Sequence, residues 1–286
     1  MRPIITLLTD FGSSDAYVGT MKGVILSICP QAQLVDLTHA IEPQNVRQAA
    51  YVLLTAFRHF PPQTIFLVVV DPGVGTEREP IAVQTNYGIY VAPNNGVLSY
   101  LIPHIQVEHV VILQNADYRL PGVSATFHGR DIFAPAAAHL ANSVPITEFG
   151  PAVPEFYQLN SPVLEIGESQ IRGEVLHVDH FGNIITSIGH LIWAAPGLLE
   201  LNPQFGTSSP EPLTLNAALS QVTVASKVLQ GILPTYGAMP PGSLLALVGS
   251  SGQLEIGINQ GNAAQVLGVT TGDAILLDFE TTLLES

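Results

Sequence analysis

The sequence predicts an α/β N-terminal domain with a mainly parallel sheet flanked by helices, followed by a smaller all-β, barrel-like C-terminal domain. Short apolar runs alternate with helix-spaced segments in the first half of the chain. Short apolar runs separated by Gly and Pro follow in the second half, with no long helical pattern. The stretch 150–167 contains proline and lacks helical periodicity, so we predict domains 1–155 and 169–286 joined by a linker, 156–168.

The N-terminal domain is predicted from alternating strands and helices. Its first five elements are a strand 4–8, a helix from about 15 to 28, a strand 33–37, a helix from near Asn45 and a strand 64–70. Strands joined through helices by short loops indicate a parallel sheet. A hairpin of 81–84 with 89–91, a strand 107–113 and an Ala-rich helix after Phe127 complete the domain.

The C-terminal domain is predicted from short strands alone, which is typical of a small barrel or sandwich. The predicted strands are 171–178, 183–187, 213–215, 221–225, 244–248, 254–258 and 274–279.

Composition limits the function. Apolar residues make up 47% of the 286, which is enough for a large core. Charged residues make up only 11%, and because a charge-poor surface is often covered by partner subunits, we predict an oligomer. The net charge of −14 argues against nucleic acid and anionic membranes as partners. The single Cys29 cannot form an internal disulfide, and no apolar run resembles a signal peptide or a membrane helix. We therefore expect a cytoplasmic protein.

Acidic residues follow two of the predicted buried strands. Asp71 opens an Asp-Pro-Gly loop after 64–70, and Asp10 opens a loop with Gly12 after 4–8. Open parallel sheets bind ligands at the carboxyl ends of their strands. The alternative for Asp71 is a turn cap, since Asp-Pro favours turns. Asp36 lies at the end of the strand 33–37 and is predicted to be mainly structural.

Two further loops combine glycine with polar and aromatic residues. His128 lies in Phe-His-Gly-Arg-Asp, at a helix start, and such clusters are typical of binding or catalytic loops. In the loop 179–183, Asp179 offers a carboxylate to a cation, Phe181 a stacking face and Asn183 donor and acceptor atoms for an adenine edge. A plain hairpin turn at Gly182 is the alternative. The sequence has no His-x-x-x-His motif and no pair of cysteines, so it does not indicate a zinc site.

Taken in order, the motifs resemble those of one family. They are Thr-Asp-Phe-Gly at 9–12, Asp-Ala-Tyr-Val-Gly at 15–19, Met-Lys-Gly at 21–23, Asp-Pro-Gly-Val-Gly at 71–75, Ala-Pro-Asn-Asn-Gly at 92–96, Phe-His-Gly-Arg-Asp at 127–131 and Asp-His-Phe-Gly-Asn at 179–183. The set resembles the S-adenosyl-L-methionine (SAM) hydroxide adenosyltransferases, or SAM hydrolases, which are related to the fluorinase and chlorinase enzymes. The resemblance covers nearly the whole chain.

The resemblance implies a homotrimer that binds SAM where the N-domain of one subunit meets the C-domain of a neighbour. It implies cleavage of SAM by water to adenosine and methionine, with no cofactor and no metal. The implied catalytic set is Asp71, Arg78 and His128. The implied substrate-binding residues are Asp10 for the ribose diol, Asp179 for the methionine ammonium, Phe181, Asn183 on the adenine side, and Ser250, Glu255 and Ile258 in a C-terminal pocket segment.

Three departures favour a hydrolase within this family. Halogenases have tyrosine at the position of Asp71, the fluorinase has serine at Gly129, and its long insertion is absent here. A fixed carboxylate repels a halide but accepts a hydrogen bond from water. Ser187 and Gly249 stand where many members have asparagine, which could alter pocket contacts.

In the mechanism that we expect, Asp71, held by Arg78 and with His128 nearby, orients a water behind the ribose carbon. The arginine is expected to favour the ionised carboxylate. Sequence does not decide whether Asp71 or His128 takes the proton. Two alternatives stay open: a metal-dependent phosphatase or nucleotidase with Asp10, Asp71 and Asp131 around Mg²⁺, and a non-catalytic SAM or adenosine sensor.

Overall fold

The computed structural model describes residues 2–153, 156–206 and 212–280. The chain divides into two units, Met1–Leu159 and Asn160–Ser286. The end of the first domain predicted at residue 155, and the predicted end of the second at 286, lie outside the described residues. The domain bounds given above therefore stay a prediction.

The first unit has six strands and three α-helices among its described residues. In chain order they are β1 (Ile4–Thr9), α1 (Tyr17–Ile28), β2 (Gln33–Thr38), α2 (Val46–Ala56), β3 (Ile65–Val69), β4 (Pro80–Thr85), β5 (Ile89–Pro93), β6 (Val107–Ile112) and α3 (Ala134–Ala141). Short 3-10 turns cover Phe57–His59, Ile102–His104, Ala116–Tyr118 and Ile146–Phe149, and one turn of π-helix covers Gly129–Phe133.

One six-stranded sheet organises this unit, in the order β2-β1-β3-β5-β4-β6. Strand β1 pairs in parallel with β2 and β3, and β3 pairs in parallel with β5. Strand β4 is antiparallel to both of its neighbours, which confirms the predicted hairpin with β5. Because β1, β2 and β3 run in one direction, the loops that carry Asp10, His39 and Asp71 leave the sheet at the same edge.

Apolar residues of the central strands alternate between the two faces of the sheet. Leu7 of β1 and Leu67 of β3 pack with Met21 of α1 and with α3 in one buried cluster. The other face carries Phe66, whose ring stacks on Tyr90 at 4.8 Å between centroids. Every residue of β3 is buried, as its unbroken apolar sequence predicts.

The first two helices differ in how their N-termini are capped. Asn45 caps α2, because its side chain accepts a hydrogen bond from the backbone N–H of Gln48 at 2.9 Å. Helix α1 begins at Tyr17 rather than at Asp15, and its first flanking residue, Ala16, makes no side-chain cap. The polar residues just before α1 belong to the preceding bends.

The second unit is formed almost entirely of strands. They are β7 (Leu164–Ile166), β8 (Gln170–Val178), β9 (Ile184–Thr186), β10 (Leu191–Ala195), β11 (Leu198–Leu201), β12 (Leu213–Asn216), β13 (Gln221–Val224), β14 (Lys227–Gln230), β15 (Ile232–Leu233), β16 (Leu244–Val248), β17 (Leu254–Ile258) and β18 (Ala274–Asp278). A 3-10 turn covers Tyr236–Ala238, and a five-residue helix, α4 (Ala263–Leu267), lies between β17 and β18.

The described residues of this unit form two sheets. The larger has nine strands in the order β14-β13-β18-β8-β9-β17-β16-β15, with β7 beside β8, and β14 approaches β16 so that the sheet is nearly closed. The smaller contains β10, β11 and β12. Strand β7 falls inside the segment 156–168, so the last part of the predicted linker belongs to this sheet. Within the described ranges, the chain has no helix long and apolar enough to cross a membrane.

Candidate active site

Asp71 lies one residue beyond the buried strand β3, after Val70, and Arg78 at the end of the same loop binds it. Arg78 Nε donates to Asp71 Oδ1 at 2.9 Å, and Arg78 Nη2 donates to Asp71 Oδ2. The two side chains are only 5% and 7% exposed. This bidentate contact fixes the plane of the carboxylate, so Asp71 does more than cap a turn.

The loop between these two residues is held in place by its own hydrogen bonds and by a neighbouring loop. Thr76 Oγ1 donates to the carbonyl of Gly73 at 2.7 Å. Gly75 has φ of +77°, and a Cβ atom there would lie 2.4 Å from the carbonyl oxygen of Ala125. Position 75 therefore requires glycine. In addition, Asn95 Nδ2 donates to the carbonyl of Val70 at 2.8 Å, which anchors the chain just after β3.

His128 joins the pair through Arg78. Its Nδ1 lies 3.1 Å from Arg78 Nη2. A guanidinium can only donate, and Nη2 carries two N–H groups, so Nδ1 of His128 must accept. The neutral imidazole then carries its proton on Nε2. The π-helical turn Gly129–Phe133 starts at the next residue, and such turns are frequent at functional sites.

The buried surroundings shift the pKa values of both groups. Burial raises the pKa of the Asp71 carboxyl, although the charge and hydrogen bonds of Arg78 oppose the rise. Arg78 favours the ionised carboxylate, as predicted, but the effect of burial on the pKa is larger. Burial also lowers the pKa of His128, and the charge of Arg78 lowers it further. Neutral His128 fits the hydrogen bond that its Nδ1 accepts.

Asp10 lies in the same cavity as Asp71 and His128. This cavity has a volume of about 370 Å³, and its wall also includes Phe11, Tyr17, Pro43, Gln44, Val69, Pro72, Val74, Thr126, Phe127 and Gly129. The backbone N–H of Gln44 donates to Asp10 Oδ2 at 2.8 Å. Gln44 has φ of +69°, which is uncommon for a residue other than glycine and occurs here beside the site.

Asp131 and Asp36 lie outside this cavity wall. The Asp131 carboxylate accepts hydrogen bonds from Ser124 Oγ at 2.7 Å and from Arg130 Nε at 2.6 Å. Its structural task is thus to hold the loop before His128. Asp36 pairs with Lys22 at 2.6 Å, as a structural role predicts. In the described parts of the chain, no three His, Cys, Asp or Glu residues group in a way that could hold a metal ion.

The loop after β8 is ordered by its own carboxylate. Asp179 Oδ1 accepts from the backbone N–H groups of Phe181 and Asn183, and Asp179 Oδ2 accepts from Asn183 Nδ2, each at 2.9 Å. Gly182 has φ of +84°, as the hairpin-turn alternative requires. The turn and the binding role are compatible, because the Phe181 ring stays 72% exposed.

Glu255 on β17 is held by a residue that the sequence did not single out. The hydroxyl of Tyr236 donates to Glu255 Oε1. Burial raises the pKa of Glu255, and the negative charge of Asp179 raises it further. A Cβ at Gly249 would lie 2.4 Å from Glu255 Oε2. Glycine at 249 therefore leaves room for this carboxylate, where many relatives were expected to have asparagine.

All six substrate-binding residues predicted in the C-terminal domain line one cavity of about 750 Å³. They are Asp179, Phe181, Asn183, Ser250, Glu255 and Ile258, and Tyr236 lies among them. The turn Pro-Thr-Tyr-Gly at 234–237 was the available signal for Tyr236, since an aromatic residue in a Pro/Gly turn is a candidate for a binding surface. Ser187 is different: it is fully buried and donates to the carbonyl of Val163, so its role is structural.

The predicted residues thus form two groups, one in each unit. Asp10, Asp71, Arg78 and His128 belong to the first unit, and the six pocket residues belong to the second. Asp10, Asp71 and His128 line one cavity of the first unit, with Arg78 bound to Asp71, and the six pocket residues line one cavity of the second unit. The first group offers fixed donors and acceptors for a small polar reactant, and the second offers carboxylates, an amide and an aromatic face.

Comparison with known proteins gives one family for both units. A family model described as the SAM hydroxide adenosyltransferase N-terminal domain matches residues 5–150, and the model of the C-terminal domain of the same name matches 173–276. A relative from Salinispora tropica, named (R)-S-adenosyl-L-methionine hydrolase, is 37% identical over 277 residues, which cover 96% of this chain and 97% of the relative.

A fluorinase from Nocardia brasiliensis is more distant. It is 26% identical over 303 residues, covering 96% of each chain. Among solved structures, an uncharacterized conserved protein from Thermotoga maritima aligns with a TM-score of 0.82 at 36% identity, covering 96% of this chain and 99% of that one.

Proposed function

This chain belongs to the SAM hydroxide adenosyltransferase family, and we propose that it hydrolyses S-adenosyl-L-methionine to adenosine and L-methionine. Water attacks the 5′ carbon of the ribose, the bond from that carbon to sulfur breaks, and its electron pair stays on sulfur. The leaving thioether is neutral, so no general acid is needed. The observation that carries the proposal is the Asp71–Arg78–His128 cluster, of which Asp71 and His128 line a cavity together with Asp10.

In this mechanism Asp71 accepts the proton of the attacking water. Arg78 supports that role in two ways, because it fixes the carboxylate and because it occupies Nδ1 of His128. With its proton on Nε2, His128 is a hydrogen-bond donor to the water oxygen and is not the base. A positioned base typically contributes about 10²–10⁴-fold to the rate. Orientation of the water contributes roughly 7–11 kcal/mol to lowering the barrier.

Substrate binding uses both groups of residues. Asp10 accepts from the ribose hydroxyls, and the Gln44 N–H holds its carboxylate for that purpose. Asp179 binds the methionine ammonium, and Phe181 and Asn183 contact the adenine. Ser250, Glu255 and Ile258 complete the pocket wall, with Tyr236 holding Glu255. No cofactor and no metal take part.

The assembly is a homotrimer in the cytoplasm. Each SAM site combines the Asp71 group of one subunit with the Asp179 group of a neighbour. The charge-poor sequence and the exposed ring of Phe181 support burial of this surface by another subunit.

The reaction is hydrolysis and not halide transfer. A carboxylate at position 71 repels a halide. A Cβ at Gly129 would lie 3.2 Å from both Met21 Sδ and Phe127 Cε2, so the serine of the fluorinase has little room here. The greater identity to the hydrolase, 37% against 26% at similar coverage, agrees with this assignment.

The name of the hydrolase relative specifies the (R) form of its substrate. The L in that name fixes the α carbon of methionine, so the (R) describes the configuration at the sulfonium sulfur, which bears three different carbon groups. This chain acts on the same epimer, which gives the reaction a purpose: it removes one sulfonium epimer rather than discarding SAM at large. Separate assays of the two epimers test this preference, and equal rates would contradict it.

Chromatography of a SAM incubation tests the function. Wild-type protein is expected to release adenosine and methionine in equal amounts, with or without a chelator. Asp71→Asn keeps the shape of the side chain and removes its charge, so it should lower kcat about 10²-fold or more. Asp117→Asn, an exposed carboxylate in a 3-10 turn, is the matched control and should leave kcat unchanged. Intact SAM after long incubation with wild-type protein would contradict the proposal.

A further inference from the structure

The carboxylate of Asp10 is held by few contacts of its own. The N–H of Gln44 donates to Asp10 Oδ2 at 2.8 Å, and among the described residues it is the only hydrogen-bond donor to this carboxylate. The direction of the side chain therefore depends on the backbone of residues 9–12, where the chain leaves β1. This segment meets the loop after β2 at His39, whose carbonyl accepts a hydrogen bond from the N–H of Gly12 at 2.8 Å.

The hydroxyl of Thr9 connects the same backbone to the ring of His39. Thr9 is the last residue of β1 and is fully buried. Its Oγ1 accepts a hydrogen bond from the N–H of Phe11 at 3.2 Å and lies 2.9 Å from His39 Nδ1. The ring of His39 and the peptide that follows Asp10 thus share one hydroxyl group.

Asp36 determines which nitrogen of His39 carries the proton. Asp36 Oδ1 lies 3.0 Å from the buried Nε2 of His39, although the two atoms are poorly aligned for a hydrogen bond, and Asp36 Oδ2 accepts from Lys22 Nζ at 2.6 Å. Burial acts to raise the pKa of Asp36, but Lys22 and His39 outweigh it and hold the pKa below its usual value. An ionised carboxylate beside Nε2 favours a proton there, so Nδ1 of the neutral ring accepts from the Thr9 hydroxyl.

His39 therefore fixes the backbone around Asp10 by two routes. Through Thr9 it fixes the N–H of Phe11, and through its own carbonyl it fixes the N–H of Gly12. Its side chain is 12% exposed and does not belong to the wall of the cavity that Asp10 lines. A ligand in that cavity is affected by His39 only through the position of Asp10.

Resting on the proposed function, we propose that His39 is a positioning residue that sets the selectivity of the enzyme for ribose over 2′-deoxyribose. In that function Asp10 accepts from the ribose hydroxyls, and a carboxylate accepts two donors together only when its plane faces them. A site built to bind a hydroxyl rejects an analogue that lacks it, because the polar group of the site is left unpaired. Loss of the His39 contacts changes this discrimination and leaves Asp71 in place, since Arg78 holds it.

Kinetics with SAM and its 2′-deoxy analogue test this role. The kcat/KM of the wild-type protein is expected to be about tenfold or more higher for SAM, because the analogue lacks a hydrogen bond to a charged group. His39→Leu should lower the ratio of the two kcat/KM values about fivefold or more, mainly by raising KM for SAM. His39→Asn keeps an acceptor close to the position of Nδ1 and should recover most of the ratio.

Two buried threonines of β1 provide a matched pair of variants. Thr9→Val keeps the shape of the side chain and removes the hydroxyl between His39 and Phe11, so the ratio should fall as it does in His39→Leu. Thr6→Val is the control, because Thr6 is also buried and its Oγ1 has no hydrogen-bond partner in the part of the chain that the structure describes. If His39→Leu does not fold, Thr9→Val decides. An unchanged ratio, or equal losses of kcat/KM for the two substrates, would overturn the inference.

Failure of the proposed function can be told apart from failure of this inference. If SAM binds without being hydrolysed, the proposed function is wrong, and calorimetry with SAM and its 2′-deoxy analogue replaces the kinetics. A preference for SAM that is present in the wild-type protein and lost in Thr9→Val then still supports the role of His39. Equal affinity of the wild-type protein for the two compounds, or binding of neither, would overturn it.

Discussion

Asp71 and His128 act as one unit because Arg78 touches both of them. The sequence indicated a carboxylate after a buried strand, but not that an arginine seven residues later would return to it. Nor could it give the tautomer of His128, which follows from a single distance of 3.1 Å between Arg78 Nη2 and Nδ1. Burial, which sequence also leaves open, decides the direction of the pKa shift at Asp71.

The pH dependence of activity follows from these two pKa shifts. Asp71 must be ionised to accept a proton, so kcat/KM should fall as pH drops through its pKa, which lies above the ordinary value of about 3.9. His128 has a pKa below the ordinary value of about 6.5, so it stays neutral above that pH. We expect kcat/KM to rise with pH to a plateau. A profile that falls between pH 5 and 8 would show that a protonated group is needed, against this account.

Gly129→Ser tests how closely the site is packed. The new side chain would press on Met21 and Phe127, so we expect a loss of about 1–3 kcal/mol in the free energy of unfolding, together with reduced kcat/KM. Gly19→Ser is the control, because Gly19 lies in α1 with nothing within 4 Å of its added Cβ. Denaturant unfolding compares the two variants. Equal stability and full activity of Gly129→Ser would contradict the packing argument.

At the scale of elements, β3 places the reactive loop and Gly75 sets its path. Gly75→Ala should lower the free energy of unfolding by more than the roughly 1–2 kcal/mol of left-handed backbone strain alone, because its Cβ would meet the Ala125 carbonyl. It should also lower kcat/KM by shifting Arg78. Gly197→Ala has nearly the same φ, +78°, with nothing near its Cβ, and isolates the strain. Equal losses of unfolding free energy in the two variants would contradict a clash between the new Cβ at position 75 and the Ala125 carbonyl.

The long elements of the first unit could be predicted because their patterns are unambiguous. Strand β3 is apolar throughout, and α2 has both helical spacing and an asparagine cap. Strand β17 was predicted with its exact bounds, 254–258, because apolar residues alternate there with Glu255 and Gly257. Such patterns depend on local sequence, which a single chain supplies.

Several strands of the second unit could not be predicted with the same ease. Strand β14 is mostly exposed and has only four residues, so its sequence carries little apolar pattern. Strands β10 and β11 were missed although Pro196-Gly197 between them is a turn signal. Strand β7 lay in a stretch that its neighbouring prolines suggested was a linker. Pairing with distant strands, not local sequence, makes these segments strands.

At the scale of the whole molecule, the account requires two cavities from different subunits to form one site. Mixed trimers of Asp71→Asn and Asp179→Asn test this. Each variant alone should be nearly inactive, because every site contains one altered half. In an equal random mixture, about one quarter of the sites combine two unaltered halves from neighbouring subunits, so about a quarter of wild-type activity should return.

No recovery in mixed trimers would mean that each site is built within one subunit. Native mass spectrometry of the mixture is the control for exchange of subunits. Trimers that contain both variants must be present before the activity is compared. A species of any other size as the main form would contradict the proposed assembly.

Isotope labelling tests whether water attacks the ribose carbon. Wild-type protein is incubated with SAM in ¹⁸O-labelled water, and the products are analysed by mass spectrometry. We predict one ¹⁸O atom in adenosine, at the 5′ hydroxyl, and unlabelled methionine. Unlabelled adenosine, label in methionine or its fragments, or a different nucleoside product would contradict it.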